Sequence, residues 1–186
     1  MWLADCVAKR HKGMLVEIGD LCEIEALKQL KARYLRLVDE KKWDEWADVF
    51  TPDLDAWIAD VPDERFNTRE QFMEFIFRAI GAGLTVHHAH MPEIEITGPR
   101  TARGIWAMND YVRFAGADGM LEIAGSGHYH EEYRKCEDGQ WRICRLRITR
   151  LLGMVDELVR RGVVDQAAVT IPDSRAVGAD ENLADR

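Results

Sequence analysis

Three of the chain's six histidines lie within the stretch TVHHAHMPEI, at His87, His88 and His90. An imidazole can act as a general base near neutral pH, and it is also a common metal ligand. Alternation of apolar and polar residues predicts a strand here, with His87 on one face and His88 and His90 on the other. The stretch therefore suggests two different chemistries, acid–base catalysis by His87 or metal binding by its two neighbours.

The metal interpretation rests on the H-x-H spacing of His88 and His90, which His128 and His130 repeat. A metal site also needs a third ligand on the same surface, and the sequence identifies none. We therefore interpret these four histidines as solvated residues of a strand face, and we expect neither a metal nor an organic cofactor.

Two charged residues interrupt apolar strand faces further along the chain, Asp110 and Arg150. A buried unpaired charge is costly, so each needs a partner, a ligand or water. An Asp–Arg pair that only fixes the core and a polar site for a ligand both fit this pattern. The residues that share these faces at every second position are Trp106, Met108 and Val112 beside Asp110, and Cys144, Leu146 and Ile148 beside Arg150.

A long helix that could position further polar groups is predicted from Asp20, as the N-cap, to Lys41. Tyr34 lies at the centre of its apolar stripe, and Asp39 lies in its last turn, where the helix dipole disfavours a carboxylate. Asp39 is therefore expected to have a stabilising partner. The stripe consists of Ile24, Leu27, Leu30, Tyr34, Leu37 and Val38, and Lys28, Lys31 and Arg33 are predicted to lie mostly elsewhere.

The remaining elements are a short helix in WDEWADVF, closed by Thr51-Pro52-Asp53, a short strand over 54–58, and a helix opened by the capping-box pattern Thr68-x-x-Gln71. From Leu84 the apolar period changes from 3.6 to 2. Strands are predicted over 84–97, 102–114, 120–135 and 140–152. Helices followed by a meander of long strands predict an α+β fold, with the helices on one face of an antiparallel sheet.

Composition limits the possible partners. The formal net charge of −8 argues against nucleic acid and against a polybasic membrane anchor. No apolar run approaches the roughly 20 residues that a membrane span needs. The N-terminal residues lack the order of charge and apolar run found in a signal peptide, so a cytoplasmic protein is expected.

The length of 186 residues suits one domain with extensions. We assign 1–16 to an N-terminal extension, 17–155 to the α+β domain, and 156–186 to a helical turn and a mobile tail. None of the four cysteines forms a C-x-x-C pair, and free thiols are expected.

Several blocks together resemble the SnoaL-like proteins of the nuclear transport factor two superfamily. These blocks are IEALKQLKARYLRLVDEKKWDEWADVF, TVHHAHMPEIEI, TARGIWAMNDYVRF, GSGHYHEEYRKCEDGQWRI and RLRITR. The resemblance covers about residues 20 to 155 and is nearest to the bile-acid dehydratase branch, with scytalone dehydratase and hexachlorocyclohexane dehydrochlorinase more distant. It implies a curved sheet wrapped around the long helix, as a cone with a deep apolar pocket.

The resemblance also implies a set of site residues. Tyr34, Asp39, His87, Asp110 and Arg150 match the polar positions of the dehydratase branch. In that role His87 is the base, Asp39 orients it, and Tyr34 donates a proton or hydrogen bond. Asp110 positions water or a hydroxyl or acts as a second acid–base group, and Arg150 binds a substrate oxygen or fixes Asp110. The predicted apolar lining is Trp106, Met108, Val112 and Ile148. The segments 61–67 and beyond Leu152 do not match, so substrate identity does not transfer.

Three functions are compatible with this set. The first is a cofactor-independent, dehydratase-like lyase acting on a small lipophilic ring of steroid, terpenoid or polyketide type. The second is an isomerase or cyclase on a similar ring, and the third is a non-catalytic carrier of such a ligand. We favour an enzyme, because a carrier has little reason to bury two acids, an arginine and a histidine together. A homo-oligomer is expected, a trimer first and a dimer second.

Overall fold

The computed structural model describes residues 18–61, 63–116 and 119–152. The elements in chain order are α1 (Ile18–Asp39), α2 (Trp43–Ala47), β1 (Phe50–Ile58), α3 (Arg69–Ile80), β2 (Leu84–Gly98), β3 (Thr101–Gly116), β4 (Gly119–Lys135) and β5 (Trp141–Leu152). The five strands form one curved sheet in the order β1-β5-β4-β3-β2. The predicted α+β class and the four long strands are confirmed.

The long helix buries the predicted stripe from Leu27 to Val38 against the sheet, but it differs from expectation in two respects. Its residues are already helical at Ile18, so Asp20 lies in the first turn and is not the N-cap. Lys31, predicted to lie elsewhere, is only 1% exposed. A lysine can extend an apolar stem into a core if its ammonium finds a partner there, which amphipathic spacing alone does not reveal.

The third helix begins as the capping box predicts. The Thr68 hydroxyl accepts a hydrogen bond from the Gln71 backbone N–H at 3.2 Å, and the Gln71 side chain accepts one from the Asn67 N–H at 3.0 Å. The first bond satisfies an N–H group that the first turn of a helix leaves without a partner, and the second ties the residue before the N-cap to that turn.

The first strand departs most from expectation. Thr51-Pro52-Asp53, predicted to close a helix, lies within β1, which pairs in parallel with β5 at the edge of the sheet. Proline lacks an N–H to donate, and the register accordingly shifts between Phe50 and Asp55.

The pairings of the long strands have four register shifts, two in β2–β3 and two in β4–β5, and one in each pair bears on the predictions. The β2–β3 register shifts between His90 and Glu93, and Met91 in this bulge has a φ of 42°. The β4–β5 register shifts so that Ile143 opposes Tyr133 and Arg145 opposes Glu132. Cys144 therefore does not share the inner face with Leu146 as predicted, and Ile143 is buried in its place.

The core lies between α1 and the inner face of the sheet, and its centre is aromatic. Trp46 is fully buried, with its ring centroid 4.9 Å from that of Phe50 and 5.8 Å from that of Phe72. The contact with Phe50 is edge-to-face, and such a contact stabilises the core beyond the apolar area that the rings bury.

No helix within the described ranges is long and apolar enough to cross a membrane. Cys22, Cys136 and Cys144 are free thiols, as predicted. The predicted extensions over 1–16 and 156–186 lie outside the described residues.

Candidate active site

The His87 ring and the Asp39 carboxylate are in direct contact. His87 Nδ1 lies 2.6 Å from Asp39 Oδ1, and the His87 backbone N–H donates to Asp39 Oδ2 at 2.8 Å. A carboxylate can only accept, so the shared proton resides on Nδ1 and leaves Nε2 as the basic nitrogen. The side chains are 12% and 24% exposed. The structure thus brings the predicted pair together, and its catalytic role remains a prediction.

Thr85 and Lys41 support this pair through hydrogen bonds, and neither residue was predicted from the sequence. Lys41 Nζ donates to Thr85 Oγ1 at 2.8 Å, and the Thr85 hydroxyl donates to Asp39 Oδ1 at 2.8 Å. An ammonium can only donate, so it fixes the direction in which the Thr85 proton points. Strand alternation could have signalled Thr85, since it lies two residues before His87 on the same face.

These contacts explain how a carboxylate is tolerated at the end of α1. Burial raises the pKa of the Asp39 carboxyl, but hydrogen bonds from the His87 ring and backbone and from Thr85 outweigh burial. The pKa therefore lies below its ordinary value, and Asp39 is ionised at neutral pH. The partner expected for Asp39 from its unfavourable place in the helix is this set of donors.

Asp110 and Arg150 form the second polar cluster. Arg150 Nη1 donates to Asp110 Oδ2 and Arg150 Nε donates to Asp60 Oδ2, both at 2.7 Å. Burial lowers the pKa of the Arg150 guanidinium, but the two carboxylates outweigh this and raise it. Asp60, which follows β1 in a segment without regular pattern, was not predicted. Asp110 Oδ1 is buried without a hydrogen-bond partner among the described residues.

The sheet register places the two clusters side by side. His87 on β2 is directly opposite Asp110 on β3, which is opposite Gly125 on β4. Directly opposed residues of antiparallel strands have side chains on the same face, roughly 5 Å apart at Cβ. A Cβ at Gly125 would overlap Asp110 Oδ1 and lie 2.9 Å from Arg150 Nη1. Gly125 therefore provides the space in which the ion pair forms.

Two tyrosines complete the inner face beside these clusters. Tyr34, as predicted, lies at the centre of the α1 stripe, and its ring centroid is 5.9 Å from that of Tyr129 on β4. Burial is the main cause that raises the pKa of the Tyr34 phenol well above its ordinary value. Charge interactions raise it further, in the order Tyr129, Glu131, Asp110 and Asp39. Burial and the Asp110 charge likewise raise the pKa of Tyr129. Both phenols are neutral hydrogen-bond donors at neutral pH. Tyr129 was not predicted.

The predicted apolar lining is buried on the same inner face. It consists of Trp106, Met108, Val112 and Ile148, each exposed by 7% or less. A groove of about 400 Å³ lies elsewhere, between the N-terminal half of α1 and the β4–β5 turn, where Glu23 and Trp141 line it. Glu23 and Asp39 are 16 residues apart on α1, which is roughly 24 Å at 1.5 Å per residue. This groove is therefore remote from the polar clusters.

The four other histidines among the described residues, His88, His90, His128 and His130, lie on the outer face of the sheet. The ring centroids of His88 and His90 are 5.8 Å apart, and those of His128 and His130 are 6.1 Å apart. Within the described ranges, no three histidine, cysteine, aspartate or glutamate side chains converge as a set of metal ligands.

The amino-acid sequence matches a known protein family. Residues 19–147 match the family model of the SnoaL-like domain. A probable cyclase of Gibberella zeae is 24% identical over 135 residues, which cover 67% of this chain and 89% of that protein.

Two solved structures illustrate the likeness in fold. A putative scytalone dehydratase from Novosphingobium aromaticivorans superposes with a TM-score of 0.65 at 20% identity, covering 72% of this chain and 87% of that chain. A hexachlorocyclohexane dehydrochlorinase of type 2 gives a TM-score of 0.61 at 18% identity, covering 70% and 86%. At these identities the superpositions show the fold alone.

Proposed function

Since the chain belongs to the SnoaL-like domain family, we propose that it is a cofactor-independent, dehydratase-like lyase acting on a small lipophilic ring ketone that carries a β-hydroxyl. The observation that carries the proposal is the contact of 2.6 Å between His87 Nδ1 and Asp39 Oδ1, opposite Asp110 on the inner face. The names of its relatives, a cyclase, a dehydratase and a dehydrochlorinase, support an elimination or a related proton transfer.

In this proposal His87 serves first as base and then as acid. Nε2 removes the proton α to the ketone, and the electrons of the C–H bond form an enolate. The enolate expels the β-hydroxyl, which takes the proton from the His87 imidazolium and departs as water. The products are a conjugated ketone and water, and the dyad returns to its starting state. Asp39 holds the ring in one tautomer and stabilises the imidazolium.

The raised pKa supports one of the two roles predicted for Tyr34. A phenol whose anion is disfavoured by burial and by nearby carboxylates is a poor source of a proton but a good hydrogen-bond donor. Tyr34 therefore donates to the ketone oxygen and does not give its proton to the leaving group. Arg150 and Asp110, with an unpartnered Oδ1, bind the β-hydroxyl.

The substrate occupies the inner face beside the apolar lining. Met108 lies closest to the polar clusters, with its Sδ 3.9 Å from Arg150 Nη1. An unbranched thioether changes rotamer readily, so Met108 is the side chain that yields to a ring. We propose that an apolar pocket opens there when the ligand binds.

The alternative function is a cyclase or isomerase that uses the same dyad, and the relative named as a cyclase favours it. Both reactions begin with removal of a proton next to a carbonyl. They differ in the product, because only the lyase releases water and leaves a new carbon–carbon double bond.

The test is turnover of a β-hydroxy ketone on a decalin ring, followed by the ultraviolet absorbance of the conjugated ketone and by mass spectrometry. His87→Gln should lower kcat by ~100- to 10,000-fold, the usual contribution of a positioned acid–base group. Asp39→Asn should cost nearly as much, and the double variant little more, because members of one catalytic unit are not additive.

His88→Gln is the matched control, since His88 neighbours His87 in sequence but is on the outer face, and it should leave kcat unchanged. Additive losses for the two single variants, or equal losses at His87 and His88, would contradict the dyad. A product of unchanged mass would favour the isomerase.

A further inference from the structure

A second carboxylate contacts the guanidinium of the proposed site. Arg150 Nη1 donates to Asp110 Oδ2 and Arg150 Nε donates to Asp60 Oδ2, each at 2.7 Å. The three side chains are at most 19% exposed. Two carboxylates therefore share one cation largely away from bulk water, and the cluster of these three groups is net negative by one charge.

The backbone fixes Asp60 at this position. The Ala59 N–H donates to the Ile148 carbonyl of β5 at 2.9 Å, which ties the end of β1 to its neighbour. The Val61 N–H donates at 3.1 Å to the carbonyl three residues before it and closes a turn that contains Asp60. Since Arg150 follows Ile148 by two residues on the same face of β5, this turn brings the carboxylate to the guanidinium.

Neutralising the guanidinium does not require Asp60. Asp110 alone would balance the charge of Arg150. A second carboxylate adds a further charge that is partly removed from water, and the first carboxylate repels it. Stability therefore accounts poorly for Asp60, and its effect on the charge of the site is a better reason for its presence.

The charge of this cluster bears on which leaving group the site can release. A halide departs as an anion with the electron pair of its bond to carbon, and a net negative cluster opposes the growth of that charge. A hydroxyl that takes a proton departs as neutral water, which the cluster does not oppose. The distinction matters because proteins of this fold include one named as a dehydratase and one named as a dehydrochlorinase.

The unpartnered oxygen of Asp110 makes the same distinction by hydrogen bonding. Asp110 Oδ1 is buried and accepts from no donor among the described residues. A hydroxyl can donate to this oxygen while it accepts from the Arg150 guanidinium, whereas a halogen on carbon has no proton to donate. A buried acceptor that a hydroxyl satisfies is left unsatisfied by an analogue without one, and such an analogue is rejected.

We propose that Asp60 is a specificity-determining residue, which makes the Arg150 cluster net negative and so restricts the leaving group to a hydroxyl. The inference rests on the proposed function and names the group that its substrate loses. Asp60 acts through Arg150 and does not itself contact the substrate. In the favoured reaction the C–O bond breaks as the oxygen takes the proton from His87. Cleavage of a C–Cl bond would instead leave a chloride ion beside two carboxylates.

The first experiment needs no turnover. Crystals of the wild type and of Asp60→Asn are soaked in the same bromide solution, and bromide is located by its anomalous scattering. The amide keeps the shape of the aspartate and an acceptor for Arg150 Nε, but it removes the negative charge. Bromide should therefore be found at Arg150 in Asp60→Asn and be absent there in the wild type.

Asp55→Asn is the matched control. Asp55 also accepts from the Nε of an arginine, that of Arg145 at 3.0 Å, but both side chains are exposed on the outer face. This variant removes the same charge from the same strand and should resemble the wild type at Arg150.

The second experiment measures the leaving-group preference during turnover. The β-hydroxy ketone on decalin is compared with the same ring carrying chlorine in place of the hydroxyl, and elimination without protein is subtracted. Chloride leaves with the electron pair of the C–Cl bond, and the α-proton passes from His87 to solvent. Asp60→Asn should raise kcat/KM for the chloro ketone relative to the hydroxy ketone by ~10- to 100-fold, as expected for a charge a few ångströms away in a protein. A merely structural role of Asp60 would lower both values together, and Asp55→Asn should leave their ratio unchanged.

The outcomes separate this inference from the proposed function. Bromide at Arg150 in Asp60→Asn but not in the wild type supports the charge effect even if neither ketone is converted. Bromide there in both proteins or in neither, or an unchanged preference in a folded Asp60→Asn that converts both ketones, would overturn it, whatever the fate of the dyad. Urea denaturation establishes folding, and Asp60→Ser, which removes the charge with a smaller side chain, takes the place of the amide variant if that variant does not fold.

Discussion

Single residues decide how close the groups of the site approach. Gly125 illustrates this, since a Cβ there would overlap Asp110 Oδ1 and press on Arg150 Nη1. Both side chains belong to the ion pair that joins β3 to β5, in which Arg150 Nη1 donates to Asp110 Oδ2, so neither can withdraw without weakening a charge-assisted hydrogen bond. A side chain of one carbon is enough to disturb the arrangement.

We expect Gly125→Ala to reduce the free energy of unfolding by about 1–3 kcal/mol, the usual cost of overpacking. Turnover should fall as well, because Asp110 and Arg150 move apart. Urea denaturation and the decalin assay measure these effects. Gly19→Ala is the control, since its Cβ would meet no atom within 4 Å in the α1 helix. If Gly125→Ala behaves like Gly19→Ala, the close approach has no consequence.

At the scale of elements, two backbone positions carry strain and serve the site differently. Lys41, with φ of 59°, follows α1 at the left-handed position where glycine is usual, and its side chain reaches Thr85. Met91, with φ of 42° in the β2 bulge, is 89% exposed. The strained backbone at Lys41 is compensated, because its side chain donates to Thr85 and so supports the dyad. The exposed Met91 side chain offers no comparable interaction among the described residues.

We therefore expect Met91→Gly to raise the free energy of unfolding by up to about 1 kcal/mol, because glycine adopts positive φ without a Cβ clash. Met120→Gly, at an exposed position of β4 without positive φ, should lower it by about 0.5–1 kcal/mol. Urea denaturation of both variants is the measurement. Equal effects at the two positions would mean that the bulge carries no strain.

At the scale of the whole molecule, the outer face of the sheet presents apolar side chains to solvent. Val86 and Ile105 are 38% and 37% exposed on strands whose opposite face forms the core. Burial of such a face in a symmetric assembly would remove apolar area from water.

We expect the purified protein to be a homotrimer, with a dimer as the second possibility, when its mass is measured by light scattering at micromolar concentration. Val86→Glu and Ile105→Glu should shift the mass toward the monomer, because a buried unpaired carboxylate opposes association. A monomeric wild-type protein would contradict the prediction.

Because of the buried Lys31–Glu131 ion pair, we expect the free energy of unfolding to vary with pH in the alkaline range. Burial lowers the pKa of Lys31 from its usual 10.5 to about 8, and Glu131 opposes the shift only in part. The groups that face Lys31 are Glu131 and Tyr129 from β4 and Tyr34 from α1, and Tyr133 donates to Glu131. Between about pH 8 and 10.5 the unfolded chain binds the Lys31 proton more strongly than the folded one, so stability from this residue rises with pH. Below about pH 8 Lys31 is protonated in both the folded and the unfolded chain, so its effect on the free energy of unfolding does not change with pH.

We expect the free energy of unfolding of the wild type, relative to Lys31→Met/Glu131→Gln, to rise from pH 8 toward pH 10 by about 1.4 kcal/mol per pH unit at most. Urea denaturation at a series of pH values measures it, and the difference between the proteins removes the titration of surface groups. A flat difference across this window would show that Lys31 titrates as an ordinary lysine.

The sequence by itself determined most of the elements and the faces of most of their residues, with the start of β1 and the face of Cys144 as exceptions. Periods of 3.6 and 2 located the four long strands, α3 and the buried stripe of α1, because burial of one face imposes that spacing on any sequence. The same alternation separated His87 from His88 and His90 and identified Asp110 and Arg150 as charges on an apolar face.

Only the tertiary structure decided which of these residues meet and which further residues join them. The contact of Asp39 with His87 and the contacts of Arg150 with Asp110 and Asp60 depend on the register between strands and on the end of a helix distant in sequence. Lys31 shows the limit most clearly, since its charge suggests a solvated residue although it lies four residues after Leu27 on the stripe, and its burial depends on Glu131, 100 residues away. Periodicity records which face a residue occupies, whereas the partner that makes a buried charge tolerable is set by the packing of the whole chain.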